Sequence, residues 1–310
     1  MKLATTTQTV FPYVNGNNAE AVRFLARSPF KYVDYAFDGP GNKDLLLTDN
    51  YLADAEKSLR AAQECGLTFV QSHAPGVNPL LGDRPYSQVV TMMNRSIESC
   101  GLMGIPTIVV HAGASYQFRV SLNDWERWKV ETVRFYSDLL PALEKNNVIL
   151  LVENSCRANM GDRCFCNRGT QIAEIVDAIN SPHVKAVWDT GHANLDLSNQ
   201  YDDIMALGDR LYGLHVQDNY SGRDDHMPPF TGSLDCDGLM QALIDVGYKG
   251  YFTFEASMLR YDRSRNTTPV KFVHGNGKLF HPNADLALAE INYLYAVGKC
   301  MLSHYGCYEE

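Results

Sequence analysis

Six acid or imidazole side chains lie at or near the C-terminal ends of six separate apolar runs: TFVQSHA (His73), TIVVHAG (His111), VILLVEN (Glu153), VKAVWDT (Asp189), YGLHVQD (His215) and YFTFEA (Glu255). Each run is short and rich in Val, Ile, Leu, Phe or Tyr, the pattern of a buried strand. Successive polar positions are 38, 42, 36, 26 and 40 residues apart, room for one strand, one helix and two loops. In a closed ring of parallel strands such ends converge on one mouth. Three histidines, two glutamates and an aspartate gathered there are expensive to bury unless they hold a metal or move protons.

The elements that would position them can be read between these runs. Two more strands, KLATTT at 2–7 and YVDYAF at 32–37, bring the count to eight. Residues 50–65 place Leu52, Ala55, Leu59 and Ala62 at helical spacing, with Gly66 as a stop. Further helices are expected over 122–145, opening with Asn123 and Asp124, and over 170–180, 237–246 and 284–303. Alternating strands and helices mean parallel strands with helical crossovers. A doubly wound open sheet would feed its site from only two or three strands at a switch point. Six functional strand ends favour instead an α/β fold, a (β/α)₈ TIM barrel, as a single domain over residues 1–310.

The composition restricts the partners. Net charge is −9, which disfavours a polyanion such as DNA. The N-terminal MKLATTTQTV lacks the apolar core of a secretory signal, and no run approaches the length of a membrane span. Eight scattered cysteines in a chain this long read as reduced thiols, so a cytoplasmic protein is expected. Cys164 and Cys166 form a C-x-C pair that reads as small apolar residues and not as a paired C-x-x-C zinc signature.

Two long loops follow the fifth and eighth strands, near 155–169 and 257–283, and both are expected over the C-terminal mouth. The first carries Arg157, Arg163 and Arg168, and the second Arg260, Arg263, Arg265, Lys271 and Lys278. These charges are either solvated loop residues or attract an anionic substrate, or they contact another copy or a partner subunit.

Glu153, Asp189, His215 and Glu255 make a mixed oxygen and nitrogen donor set. It suits one divalent ion, Mn²⁺ first, with Co²⁺, Mg²⁺ or Zn²⁺ as alternatives. His73, His111, His192, Arg223, Asp224 and His226 form a second tier for binding substrate hydroxyls, transferring protons or ligating further ions. His226 can also be read as a surface loop histidine.

The segments VILLVEN, AVWDTGHAN, GLHVQDN with DDHMPPFTGSLD, and YFTFEAS resemble the sugar phosphate isomerase/epimerase family of xylose-isomerase-like TIM barrels, which includes hexulose 3-epimerases such as D-tagatose 3-epimerase. The resemblance spans roughly residues 68–256. It implies a metal held by Glu153, Asp189, His215 and Glu255, the two glutamates as acid/base pair, and His192 against the substrate. The reaction implied is proton abstraction next to a carbonyl of a ketose, keto-sugar or sugar derivative, through an enediolate. The chain departs from the family where a P-P-G-E-G turn reads Pro228-Pro229-Phe230-Thr231-Gly232, without the acid. Its loops after strands five and eight are also longer than in the simple epimerases.

Three other readings stay open. With the same metal and base, the enzyme would be a lyase on a keto-sugar glycoside, of the C-glycoside cleavage type, working with a smaller partner subunit. Endonuclease IV, an apurinic-site nuclease with three zinc ions, shares the barrel. Candidates for all nine of its ligands are here: His73, His111, Glu153, Asp189, His192, His215, Asp224, His226 and Glu255. Against it stand the acidic net charge and the loops TQTVFPYVNGNN and DGPGNKD, which offer no basic or wedge residues of the sort that would hold bent DNA. A metal-binding barrel without enzymatic activity is the last.

Overall fold

A computed structural model describes residues 1–39, 42–257 and 283–310. The loop arginines at 260, 263 and 265 therefore lie outside the described residues, as does most of the second long loop. Eight strands run in chain order: β1 Leu3–Thr6, β2 Tyr32–Ala36, β3 Thr68–His73, β4 Thr107–His111, β5 Ile149–Glu153, β6 Val184–Asp189, β7 Leu211–His215 and β8 Phe252–Phe254. All named pairings are parallel, in the order β7-β6-β5-β4-β3-β2-β1-β8. The ring closes where Val216 bridges Phe254, with Val216 N donating to Thr253 O at 2.8 Å. This is the TIM barrel expected from the eight runs.

The helices are α1 Asn18–Leu25, α2 Asn42–Leu45, α3 Tyr51–Cys65, α4 Tyr86–Met103, α5 Trp125–Asn146, α6 Arg157–Met160, α7 Gly169–Ile179, α8 Thr190–Leu195, α9 Gln200–Leu207, α10 Cys236–Asp245 and α11 Ala284–His304. Gly66 ends α3 at φ 68, as its place after the apolar stripe predicts. Helix α5 begins three residues later than expected. Val120–Leu122 form a separate short turn, and Asn123 is left-handed at φ 62.

Strand alternation sorts the side chains. Val109, Leu151 and Val187 form a small apolar plug inside the barrel. Two residues further along the same strands come His111, Glu153 and Asp189, on the same inward face. Their neighbours point outward. Trp188 packs in the core between sheet and helices and donates its Nε1–H to Gln200 of α9 at 3.3 Å. The polar layer thus rests on an apolar floor.

Candidate active site

Glu153, Asp189, His215 and Glu255 are buried, and one donor atom from each lies within 4.8 Å of the others. His215 Nδ1 is 2.8 Å from Glu153 Oε1 and 3.5 Å from Glu255 Oε2. Asp189 ends β6 and also caps α8, accepting from His192 N at 2.7 Å through Oδ1. The cap carries His192 into the cluster. Asn154 fixes the same corner: its Oδ1 accepts from Asp189 N at 2.6 Å and its Nδ2 donates to Asp189 O at 2.9 Å.

His73 and His111 approach from the other side. Their Nε2 atoms are 3.1 Å apart, and Glu153 Oε2 is 3.6 Å from His73 Nε2 and 3.2 Å from His111 Nδ1. On the far side, Asp224 Oδ2 is 3.3 Å from His192 Nε2 and Oδ1 is 3.4 Å from His226 Nε2. His226 is therefore buried in the cluster, with its backbone at φ 49 and its Nδ1–H donating to Glu255 O at 2.8 Å. Arg223 does not join them. Its side chain is 60% exposed and pairs with Asp225 at 3.5 Å.

The charges are unevenly held. Burial opposes ionisation of Glu153, yet the imidazoles of His111, His215 and His73 hold its carboxyl well below the usual range. Burial, reinforced by Glu153, Glu255 and Asp224, pushes Asp189 up to about 6 against the pull of His192. Glu255 is lowered, because His215, His226 and His73 outweigh its burial. The donor set fits a divalent ion. Four oxygen and nitrogen donors converge, Asp189 is short of positive charge, and buried Glu153 Oε2 has no hydrogen-bond partner. Cys164 and Cys166 are buried and neither belongs to the donor set, although Cys166 Sγ–H donates to the backbone O of Glu153 at 3.6 Å; burial pushes the Cys164 thiol up to about 12.

The loop at 155–169 does reach the mouth, but through a neutral residue: Asn159 Nδ2 donates to Asp224 Oδ2 at 2.9 Å. Its arginines are engaged elsewhere or exposed. Arg163 stacks over Tyr116 at 4.4 Å, Arg168 lies 3.7 Å from Asp203, and Arg157 is exposed. A cleft lined by Gln8, Thr9, His226, Glu255, Ala256 and Ser257 opens onto Glu255.

Sequence reasoning missed Asp34, Gln71, Asn154 and Gln217. Gln217 Nε2 donates to Asp224 Oδ1 at 2.9 Å and to Asp189 Oδ1 at 3.3 Å. Gly191 makes this possible, since a Cβ there would lie 2.1 Å from the Gln217 amide. Asp34, Gln71 and Gln217 each sit on the inward parity of a strand or its extension, and that was the available signal.

The model of the Xylose isomerase-like TIM barrel family matches residues 22–274, and the chain belongs to that family. L-ribulose 3-epimerase of Methylomonas sp. (strain DH-1) is 27% identical over 244 residues, covering 76% of this chain and 77% of the relative. D-psicose 3-epimerase of Enterocloster bolteae is 31% identical over 138 residues, covering 44% of this chain and 43% of the relative. The solved structure of 3-keto-D-glucoside 4-epimerase from E. coli shares the fold, with a TM-score of 0.68 over 96% of this chain and 99% of that one, at 19% identity. Among the described residues, no helix is long and apolar enough to cross a membrane.

Proposed function

We propose that the protein is a metal-dependent isomerase or epimerase of a ketose, keto-sugar or sugar derivative. Glu153, Asp189, His215 and Glu255 hold one divalent ion, Mn²⁺ first, and Glu153 and Glu255 act as the acid/base pair. The observation that carries this is the pair of buried carboxylates on β5 and just past β8, both in contact with His215. The curated relatives that are ketose 3-epimerases support it.

The bound ion would supply polarisation of a substrate carbonyl and its neighbouring hydroxyl. Glu153 and Glu255 both stay ionised, so either can accept the proton from the carbon between those groups. An enediolate results. The other glutamate, ionised until then, takes up a proton from solvent and delivers it to the opposite face, which inverts the carbon, while the first glutamate releases its proton to solvent. Delivery to the neighbouring carbon isomerises instead. His73, His111, His192 and His226 surround the space and serve substrate hydroxyls, and Asp224 holds two of these rings. Turnover of a ketose panel in D₂O tests the scheme. Deuterium must enter the substrate carbon, and product without exchange would refute it.

A second reading is favoured by one observation. All nine residues expected of a tri-zinc nuclease do gather at this mouth, in three adjoining groups. The net charge of −9 opposes it. Ion stoichiometry and activity on an apurinic-site duplex separate the two.

A further inference from the structure

Three of the five imidazoles at the mouth are anchored in the same way. His73 Nδ1–H donates to Ala74 O at 2.7 Å, His192 Nδ1–H to Asn154 O at 2.9 Å, and His226 Nδ1–H to Glu255 O at 2.8 Å. A carbonyl only accepts, so each ring carries its proton at the back and turns Nε2 to the cluster. His215 is mounted the other way round. Nδ1 faces Glu153 and Glu255, and Nε2 reaches down the barrel to Asp34 Oδ2 at 3.1 Å.

Asp34 is on β2, fully buried, and its carboxyl is itself oriented. Gln71 Nε2 donates to the same Oδ2 at 3.2 Å and also lies 3.5 Å from Leu214 O, which fixes its amide nitrogen on that side. A carboxylate oxygen accepts and can take more than one bond, so His215 Nε2–H is the donor in the other. Gly213 leaves room for this arrangement. A Cβ there would lie 2.6 Å from Gln71 Oε1 and 2.7 Å from Leu151 Cδ1. A buried carboxyl with its second oxygen unpartnered is costly to keep, and the bond to His215 is what it provides.

We infer that Asp34, held by Gln71, is a positioning residue for His215: it fixes the proton on Nε2 and leaves Nδ1 as the donor atom for a divalent ion. The inference rests on the ion site proposed above. A carboxylate behind a ligating imidazole orients the ring and raises its basicity. The other three rings, backed by neutral carbonyls, lack that second effect.

Two readouts test it: Co²⁺ affinity by chelator competition, and the His215 ring Nε2–H resonance in ¹⁵N-histidine-labelled, ion-free protein. In Asp34→Ala the affinity should fall by roughly 10–100-fold, and the resonance should vanish. Asp34→Asn keeps an acceptor oxygen, so it should keep the resonance and lose less affinity. Gln71→Leu should shift the resonance and weaken Co²⁺ binding least. A folded Asp34→Ala protein with wild-type affinity and an unchanged resonance overturns the inference. If that variant does not fold, an unchanged Gln71→Leu protein does so. Should wild-type protein bind no Co²⁺, the ion site itself is refuted. The resonance then decides the role of Asp34 alone, and its persistence in Asp34→Ala overturns that role.

Discussion

The two groups of imidazoles flanking the tetrad of Glu153, Asp189, His215 and Glu255 are built on opposite plans. On the side of β6 and β7, His192 and His226 share a carboxylate of their own. Asp224 accepts from Gln217 and Asn159 at 2.9 Å each, and lies 3.3 and 3.4 Å from the two rings. Burial works against its charge, but the neighbouring His226 and His192 hold it far below the usual carboxylate range. On the side of β3 and β4, His73 and His111 have no carboxylate of their own: they lie 3.6 and 3.2 Å from Oε2 of Glu153, which belongs to the tetrad. They face each other at 3.1 Å, which requires one ring to donate and the other to accept. Burial lowers the His111 pKa, whereas His73 rises to about 9 because the Glu153 and Glu255 charges outweigh its burial. One flank is thus a closed, charge-balanced frame. The other holds a proton next to the unpartnered oxygen of Glu153 and has donor capacity to spare for a substrate.

Glu153 belongs both to the tetrad and to the open flank, so its replacement should have the largest effect. Glu153→Gln and Glu255→Gln should each lower kcat/KM by roughly 10²–10⁴-fold, measured on whichever ketose the panel identifies. Near-normal turnover in either variant would remove that glutamate from the chemistry. Next comes the frame itself. Asp224→Ala leaves two buried imidazoles without their shared acceptor and should cost about 3 kcal/mol in urea unfolding of ion-free protein. His111→Ala, on the open flank, should cost about 1 kcal/mol. Equal losses would mean that the flanks are not different in kind.

Ion binding sharpens the contrast further. About one tight equivalent of Mn²⁺ is expected by metal analysis, and Glu255→Gln should abolish it. At a hundredfold excess over Kd the ion should add about 2.7 kcal/mol of stability. Three zinc equivalents, two of them lost in His73→Ala and His226→Ala, would make both flanks ion sites and favour the nuclease reading.

Much of this is legible in the sequence. The tetrad and its flanks showed because each polar residue interrupts an apolar run at a strand's end, where pleating and barrel closure dictate convergence. What was not legible depended on side-chain reach across strands. Asp34 is one acid inside YVDYAF, and nothing in the sequence says that it meets His215, which is 181 residues away. Gln217 gives no signal in the sequence because an amide carries no charge, although it spans Asp189 and Asp224. Arg223, expected at the site from its place in the stretch after His215, instead has an exposed side chain paired with Asp225.

The smallest predicted effect isolates the proton on the open flank. In ion-free protein the His73 pKa is about 9 in the fold, against an ordinary value of 6.5. The folded state therefore binds more protons than the unfolded chain between those two values, and stability falls as pH rises across that window. The His73 contribution is complete below pH 6.5 and gone above about 9. Asp189 does not intrude. Its folded pKa of about 6 lies above an ordinary 3.8, so its own loss is finished before the window opens. His192 and His215 are also raised, so they too contribute stability that is lost as pH rises. The comparison must therefore be with His73→Gln. The stability difference between wild type and variant, from urea unfolding at pH 6, 7.5 and 9.5, should shrink steadily toward the alkaline end. A difference that stays constant would place the proton elsewhere, and the open flank would then be as fixed as the closed one.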